Sequence, residues 1–156
     1  MLTFRYPATF RKDEAGRILV QFPDFPRAAT DGVSLQEAME EAIDCLGSSI
    51  AFLLAHRQEV PKPAAVKRGQ KSVPVPLWIA PKLALYWRMR DLGLNNAELA
   101  RRIGVRETII RRMLDPDHAT KAGKLQAALE LLGQNVVLAV EDAAYATKPA
   151  ARQAGA

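Results

Sequence analysis

The sequence predicts an α+β protein, in which a small β-β-β-α-β unit precedes an all-helical unit that closes on a strand. Three observations predict it. Period-two alternation is confined to the first 32 residues, a long helical stripe then starts at a marked cap, and beyond Pro81 apolar residues recur only at helical spacing until the terminal run NVVLAVE.

FRYPATFRKD (4–13) alternates loosely, with Pro7 restricting it to an edge or a strand start. DEAG (13–16) is a turn, because Gly16 adopts positive φ without steric cost. RILVQFPDF follows as a second strand with Ile18, Val20 and Phe22 on one face, so the two strands form a hairpin. RAATDG (27–32) returns from the FPDFP corner as a short third strand.

Ser34 and Glu37, three apart, form a capping-box pattern in which each side chain satisfies the other's orphan backbone N–H. Leu35, Met39, Ala42, Ile43, Leu46, Ile50, Leu53 and Leu54 then give one apolar face to lay on the sheet, and the helix ends near Arg57. Cys45, the only cysteine, falls on that face as a small core residue; it excludes an internal disulfide and any Cys-rich zinc module. VPKPAAVKRGQK (60–71), with two prolines, a glycine and four basic residues, reads as a loop or linker. SVPVPLWI (72–79) is extended, and its alternating prolines suit an edge strand. The expected division is therefore residues 1–79, residues 80–142, and an alanine-rich disordered tail, 143–156.

Charge is unevenly spread along the chain. Residues 1–60 hold six basic and nine acidic side chains, net −3, whereas residues 67–140 hold thirteen basic and six acidic, net +7. A cationic unit gains affinity for polyanions by releasing their counterions, and an acidic one is repelled from them. No apolar run approaches the roughly 20 residues a membrane span needs, and MLTFRYPATF lacks a basic-then-apolar leader pattern, so a cytoplasmic protein without a membrane partner is expected.

NNAELARRIGVRETIIRRMLDP (95–116) carries the chemistry. Asn95 caps a short helix with Glu98 three residues on, Leu99 and Ile103 face inward, and Ala100 is small enough for a close helix crossing. Gly104 permits the tight turn of a helix-turn-helix, with Val105 filling the gap beneath it. On the second helix Ile110 and Met113 point inward. The candidate DNA-binding residues are then Asn96 on the first helix and Arg106, Glu107, Thr108, Arg111 and Arg112 on the second, types that reach base edges and phosphates from the major groove. Arg106 stands where a Ser, Thr or Asp cap is usual, which leaves the first turn of that helix less fixed. Asp115-Pro116 stops it.

With these pieces laid out, the chain resembles the HicB-type antitoxins of toxin-antitoxin pairs. The resemblance runs through YPATF, GRILVQFPDFPRAATDG, SLQEAMEEAIDCLGSSI, VPVPLWIAPKLALY and ELARRIGVRETIIRRMLDPDHATKAGKLQAALELLG with NVVLAVE, the last two being similar to the helix-turn-helix (Xre/Cro-like) subgroup. It implies a partial ribonuclease-H-like N-terminal domain that binds and neutralises a HicA-type, messenger-RNA-cleaving toxin, and a C-terminal domain that binds operator DNA and represses the operon. An acidic surface on the first domain would complement a basic, RNA-handling toxin.

Two other functions compete. A helix-turn-helix regulator with a ligand-sensing N-terminal domain needs converging polar groups, and the sequence places none together. A degenerate nuclease needs carboxylates converging on ions about 4 Å apart, and Asp24, Asp44 and the Glu37, Glu40 and Glu41 run do not assemble such a cluster by spacing. His56 and His118 are isolated. No enzymatic activity, metal or cofactor is therefore expected. A homodimer or homotetramer is, because two helix pairs about 34 Å apart suit a palindromic operator and a lone final strand must find an edge.

Overall fold

The computed structural model describes residues 1–143. Four strands, β1 (Arg5–Lys12), β2 (Ile18–Phe22), β3 (Phe25–Gly32) and β4 (Gln70–Pro74), form one antiparallel sheet in the order β3-β2-β1-β4. The helix α1 (Leu35–Ala55) crosses between β3 and β4 in the chain, and α2 (Ala80–Asp91), α3 (Asn96–Ile103), α4 (Glu107–Leu114) and α5 (Ala122–Leu131) follow. The architecture is α+β, as the periodicities predict.

The hairpin turn forms where DEAG places it, Asp13 N–H donating to Arg17 O at 2.8 Å and Gly16 taking φ 80°. β1 lies inside the sheet, and Pro7 is tolerated because only residues Thr9 to Lys12 pair with β2, while Arg5 to Thr9 pair with β4. β3 starts two residues earlier than expected, since Phe22 pairs directly with Phe25 across Pro23-Asp24. Strand pairing in SVPVPLWI ends at Pro74 and begins instead at Gln70, within the expected linker.

α1 lays Ala38, Met39, Ala42, Leu46 and Ile50 on the sheet, against Tyr6, Ala8, Val20, Phe22, Phe25 and Val73. Leu35 is the member of the expected stripe that stays exposed. Burial of this face stabilises the half at about 25 cal/mol per Å² of apolar area removed from water. The helix cap differs from the expected box by one residue: Glu37 N–H donates to Ser34 Oγ at 3.1 Å, but the Glu37 carboxylate accepts from Val33 N–H, not from Ser34. Cys45 is half-buried against the core, and burial raises its thiol pKa.

Residues 58–64 are tied down on both sides. Tyr6 Oη donates to Pro61 O at 2.5 Å, Trp87 Nε1 to Val60 O at 3.1 Å, Tyr86 Oη to Gln58 O at 3.3 Å and Ala64 N–H to Asp24 Oδ2 at 3.1 Å, while Lys62 pairs with Asp91 at 3.1 Å. Val60 itself is buried.

Two cores meet in α2. Ile79, Leu83 and Trp87 belong to the sheet core, with Phe4 stacked on Trp87 at 5.6 Å, and Leu85 and Met89 belong to a helical core with Leu99, Ala100, Ile110, Met113, Leu125, Ala128, Leu129 and Leu132.

The expected final strand does not form. Residues 134–143 hold no regular structure, and Val136, Val137, Leu138 and Val140 are exposed, the last at 90%. A strand needs a ladder partner to satisfy its backbone, and what ties this segment to the sheet half is the ion pair of Glu141 with Arg5 near its end. The tail from 144 lies outside the described residues.

Candidate nucleic-acid interface

Two eight-residue helices form the site, and neither would stand alone, since isolated helices below roughly 12 residues are marginal in water. Caps and the shared core fix them. At the start of α3 the full capping box is present: Glu98 N–H donates to Asn95 Oδ1 and Asn95 N–H to Glu98 Oε2, both at 2.8 Å. At its end Gly104 takes φ 80°, a left-handed conformation that a side chain would strain, and the N–H groups of Gly104 and Val105 both return to Ala100 O. Ala100 is buried, as a close crossing requires. Val105, expected to fill the gap under the turn, instead lies on the outside at 37% exposure, because the turn directs the chain outward before α4 begins.

α4 buries Ile110 and Met113 and turns its basic side out. Arg106, Thr108 and Arg112, with Gly104, Val105 and Ile109, line one open concavity beside the turn. Glu107 and Arg111 are brought together differently, by an i,i+4 ion pair at 2.8 Å that holds the Arg111 guanidinium along the helix. Asn96 is half-buried in the first turn of α3. Arg101 and Arg102 line a second shallow concavity with Leu94 and Glu98, extending the basic surface onto α3. Arg106 makes no side-chain cap bond, so the first N–H groups of α4 rely on other partners.

Lys82 is a residue that sequence reasoning missed. It is 3% exposed, the buried charge among the described residues, and it touches the far end of α4 through the carbonyl of Met113 at 3.0 Å. A lysine beside a proline in the first turn of a helix carries no sequence signal of burial.

The other candidates have local partners. Asp24 accepts from Ala64 N–H, His56 contacts Phe52 O at 2.8 Å and stacks on the Phe52 ring, and His118 contacts Thr120. Among the described residues no three His, Cys, Asp or Glu side chains are grouped as metal ligands would be, and none of the helices is long and apolar enough to cross a membrane. On α1, Glu40, Glu41 and Asp44 are exposed.

Residues 5–84 match a family described as HicB-like antitoxin of bacterial toxin-antitoxin system. Full-length relatives agree: the chain is 39% identical over 134 residues to "Antitoxin HicB 2" of Photorhabdus laumondii, covering 86% of this chain and 94% of that one. It is 34% identical over 134 residues to "Antitoxin HicB" of Escherichia coli K12, covering 86% and 97%. The chain belongs to the HicB antitoxin family. The family match takes in the whole sheet, α1 and the first residues of α2, so the HicB signature ends inside the helix that both cores share. Alignments of 134 residues are too long for the sheet half alone, so the likeness to the two HicB antitoxins continues into the helical half.

Proposed function

We propose that this HicB antitoxin neutralises a HicA-type, messenger-RNA-cleaving toxin through its sheet half, residues 1–79, and represses its own operon through the α3–α4 pair within residues 80–142, as a homodimer or homotetramer. The observation that carries the DNA reading is the gathering of Arg106, Thr108 and Arg112 around one open concavity while Ile110 and Met113 lock the other side of α4 into the core. Cationic side chains on the outer face of the second helix of such a pair are placed to meet phosphates and base edges. For the toxin, the support is the HicB signature over the sheet half, together with the net negative charge of residues 1–60 and the exposed carboxylates of α1, which suit a basic partner.

Gel shifts with the DNA upstream of the gene test the first part. Arg112→Ala should weaken binding roughly tenfold, and Arg111→Ala less, because Glu107 already engages that guanidinium. Affinity should fall as salt rises, with a shallower slope in either variant. Shifts unchanged in both would reject this face as the reader. For the second part, co-expression with the neighbouring toxin gene should yield a complex that residues 1–79 still form, and sedimentation of the full chain should report a dimer or larger species.

A further inference from the structure

At the C-terminal end of α4 the Arg112 carbonyl accepts only a long backbone bond from the Asp115 N–H at 3.3 Å and the Met113 carbonyl lies in the last turn, and a cation from another helix meets both. Lys82 Nζ donates to Met113 O at 3.0 Å, Arg112 O at 3.4 Å and Thr120 Oγ1 at 3.1 Å, and Thr120 Oγ1 donates in turn to Arg112 O at 3.3 Å. Burying an ammonium is costly, and burial indeed lowers the Lys82 pKa while Asp115 acts in the opposite direction. An apolar side chain would fill the same space more cheaply. What the charge adds is direction, because three acceptors converge on one nitrogen and fix where the last turn of α4 sits against α2. Next to Lys82, Leu83 packs into the sheet core, and Leu85 packs into the helical one. Arg111 and Arg112 belong to the turn that Lys82 holds.

We propose that Lys82 is a positioning residue for the nucleic-acid face: through the Arg112 and Met113 carbonyls and Thr120, it sets the placement of the Arg111 and Arg112 side chains relative to α2 and hence to the sheet half. This rests on the DNA reading above. The residue touches no nucleic acid itself. Its effect on binding must therefore pass through the arginines.

The test uses the full chain and the upstream DNA fragment. Lys82→Met keeps the aliphatic stem and removes the cation; it should bind roughly fivefold to tenfold more weakly than wild type, with Thr120→Val weaker by a smaller factor in the same direction. Lys82→Arg should recover part of the loss. The discriminating readout is a cycle with Arg112→Ala. If Lys82 acts through that arginine, the double variant binds scarcely worse than Arg112→Ala alone. Full additivity, or wild-type affinity in Lys82→Met, overturns the proposal while leaving the DNA reading standing. A wild-type chain that shifts no fragment overturns the DNA reading itself and this inference with it. Should Lys82→Met lose its helical circular dichroism, Thr120→Val in the same cycle decides, by the same two outcomes.

Discussion

The sheet half and the helical half are built on opposite plans. In the sheet half, one 21-residue helix lies on four paired strands, and aromatic rings meet edge to face, Tyr6 on Phe25 at 4.9 Å and Phe22 on Phe25 at 6.4 Å. Long-range pairing and large side chains let it specify itself. The helical half has helices of eight, eight and ten residues beyond α2 and a core of aliphatic and methionine side chains without a ring. Its elements are individually too short to persist, so they depend on α2, which is anchored in the other core. Stability is concentrated on one side and presentation on the other.

The comparison can be broken most directly at Ile110, fully buried in the helical core. Ile110→Ala should cost about 3 kcal/mol, and hydrogen exchange should show protection lost in α3, α4 and α5 but kept in the sheet. Equal loss in both halves would mean that the sheet half has no independent stability. Tyr6→Phe probes the segment of the sheet half that Trp87 of α2 grips. It leaves Pro61 O without its donor and should cost about 1–2 kcal/mol, read as a lower denaturant midpoint and faster protease cleavage near residues 58–64. Asn95→Ala removes the side chain of the capping box and should cost about 1 kcal/mol. Its exchange effect should stay within the helical half.

The smallest effect is a pH dependence at the sheet edge. The Arg17 guanidinium, hydrogen-bonded to Asp31 at 2.6 Å, holds that carboxyl below its ordinary value against a smaller opposing effect of desolvation. A carboxyl with a lowered folded pKa contributes stability above its ordinary pKa and loses that contribution as pH falls through the lowered one. Wild type should therefore lose a little more stability than Asp31→Asn as pH falls below the ordinary carboxylate value of about 4, measured by denaturant unfolding at a series of acid pH values. The pair is surface-exposed, so the difference should be slight. Identical acid limbs would remove Asp31 from the account.

Where the physics is local, the sequence was legible. The hairpin turn at Gly16, the caps at Ser34 and Asn95, the glycine turn at Gly104 and the inward pair Ile110 and Met113 all follow from nearest neighbours, and each is found. Where a residue's fate depends on distant groups, the reading failed or fell silent. NVVLAVE has the local properties of a strand and is unpaired within the chain, because the edge expected for it belongs to a second copy. Val105 was expected inside because periodicity does not register how a turn rotates the following residue. α2 shows no single apolar face because it is buried on two sides, and that is the setting in which Lys82 could not be told from a solvated lysine. Of the site, the outward arginines were legible by elimination, while the pairing of Arg111 with Glu107 and the half-burial of Asn96 needed coordinates.

The segment 58–64 has the composition of a slack tether and the bonding of a riveted joint. The segment joins α1 to β4, both in the sheet unit, and meets α2 from the side, so a swing of the sheet unit away from α2 would have to break the Trp87–Val60 bond and draw Leu83 and Trp87 out of the sheet core. In an assembly of this protein the distance between two α4 helices would then be set by solid packing, like the jaws of a fixed-gauge caliper. Lengthening the segment by a few residues, normally a mild change in a loop, would here be expected to pull Val60 and Pro61 off Trp87 and Tyr6 and so loosen the gauge.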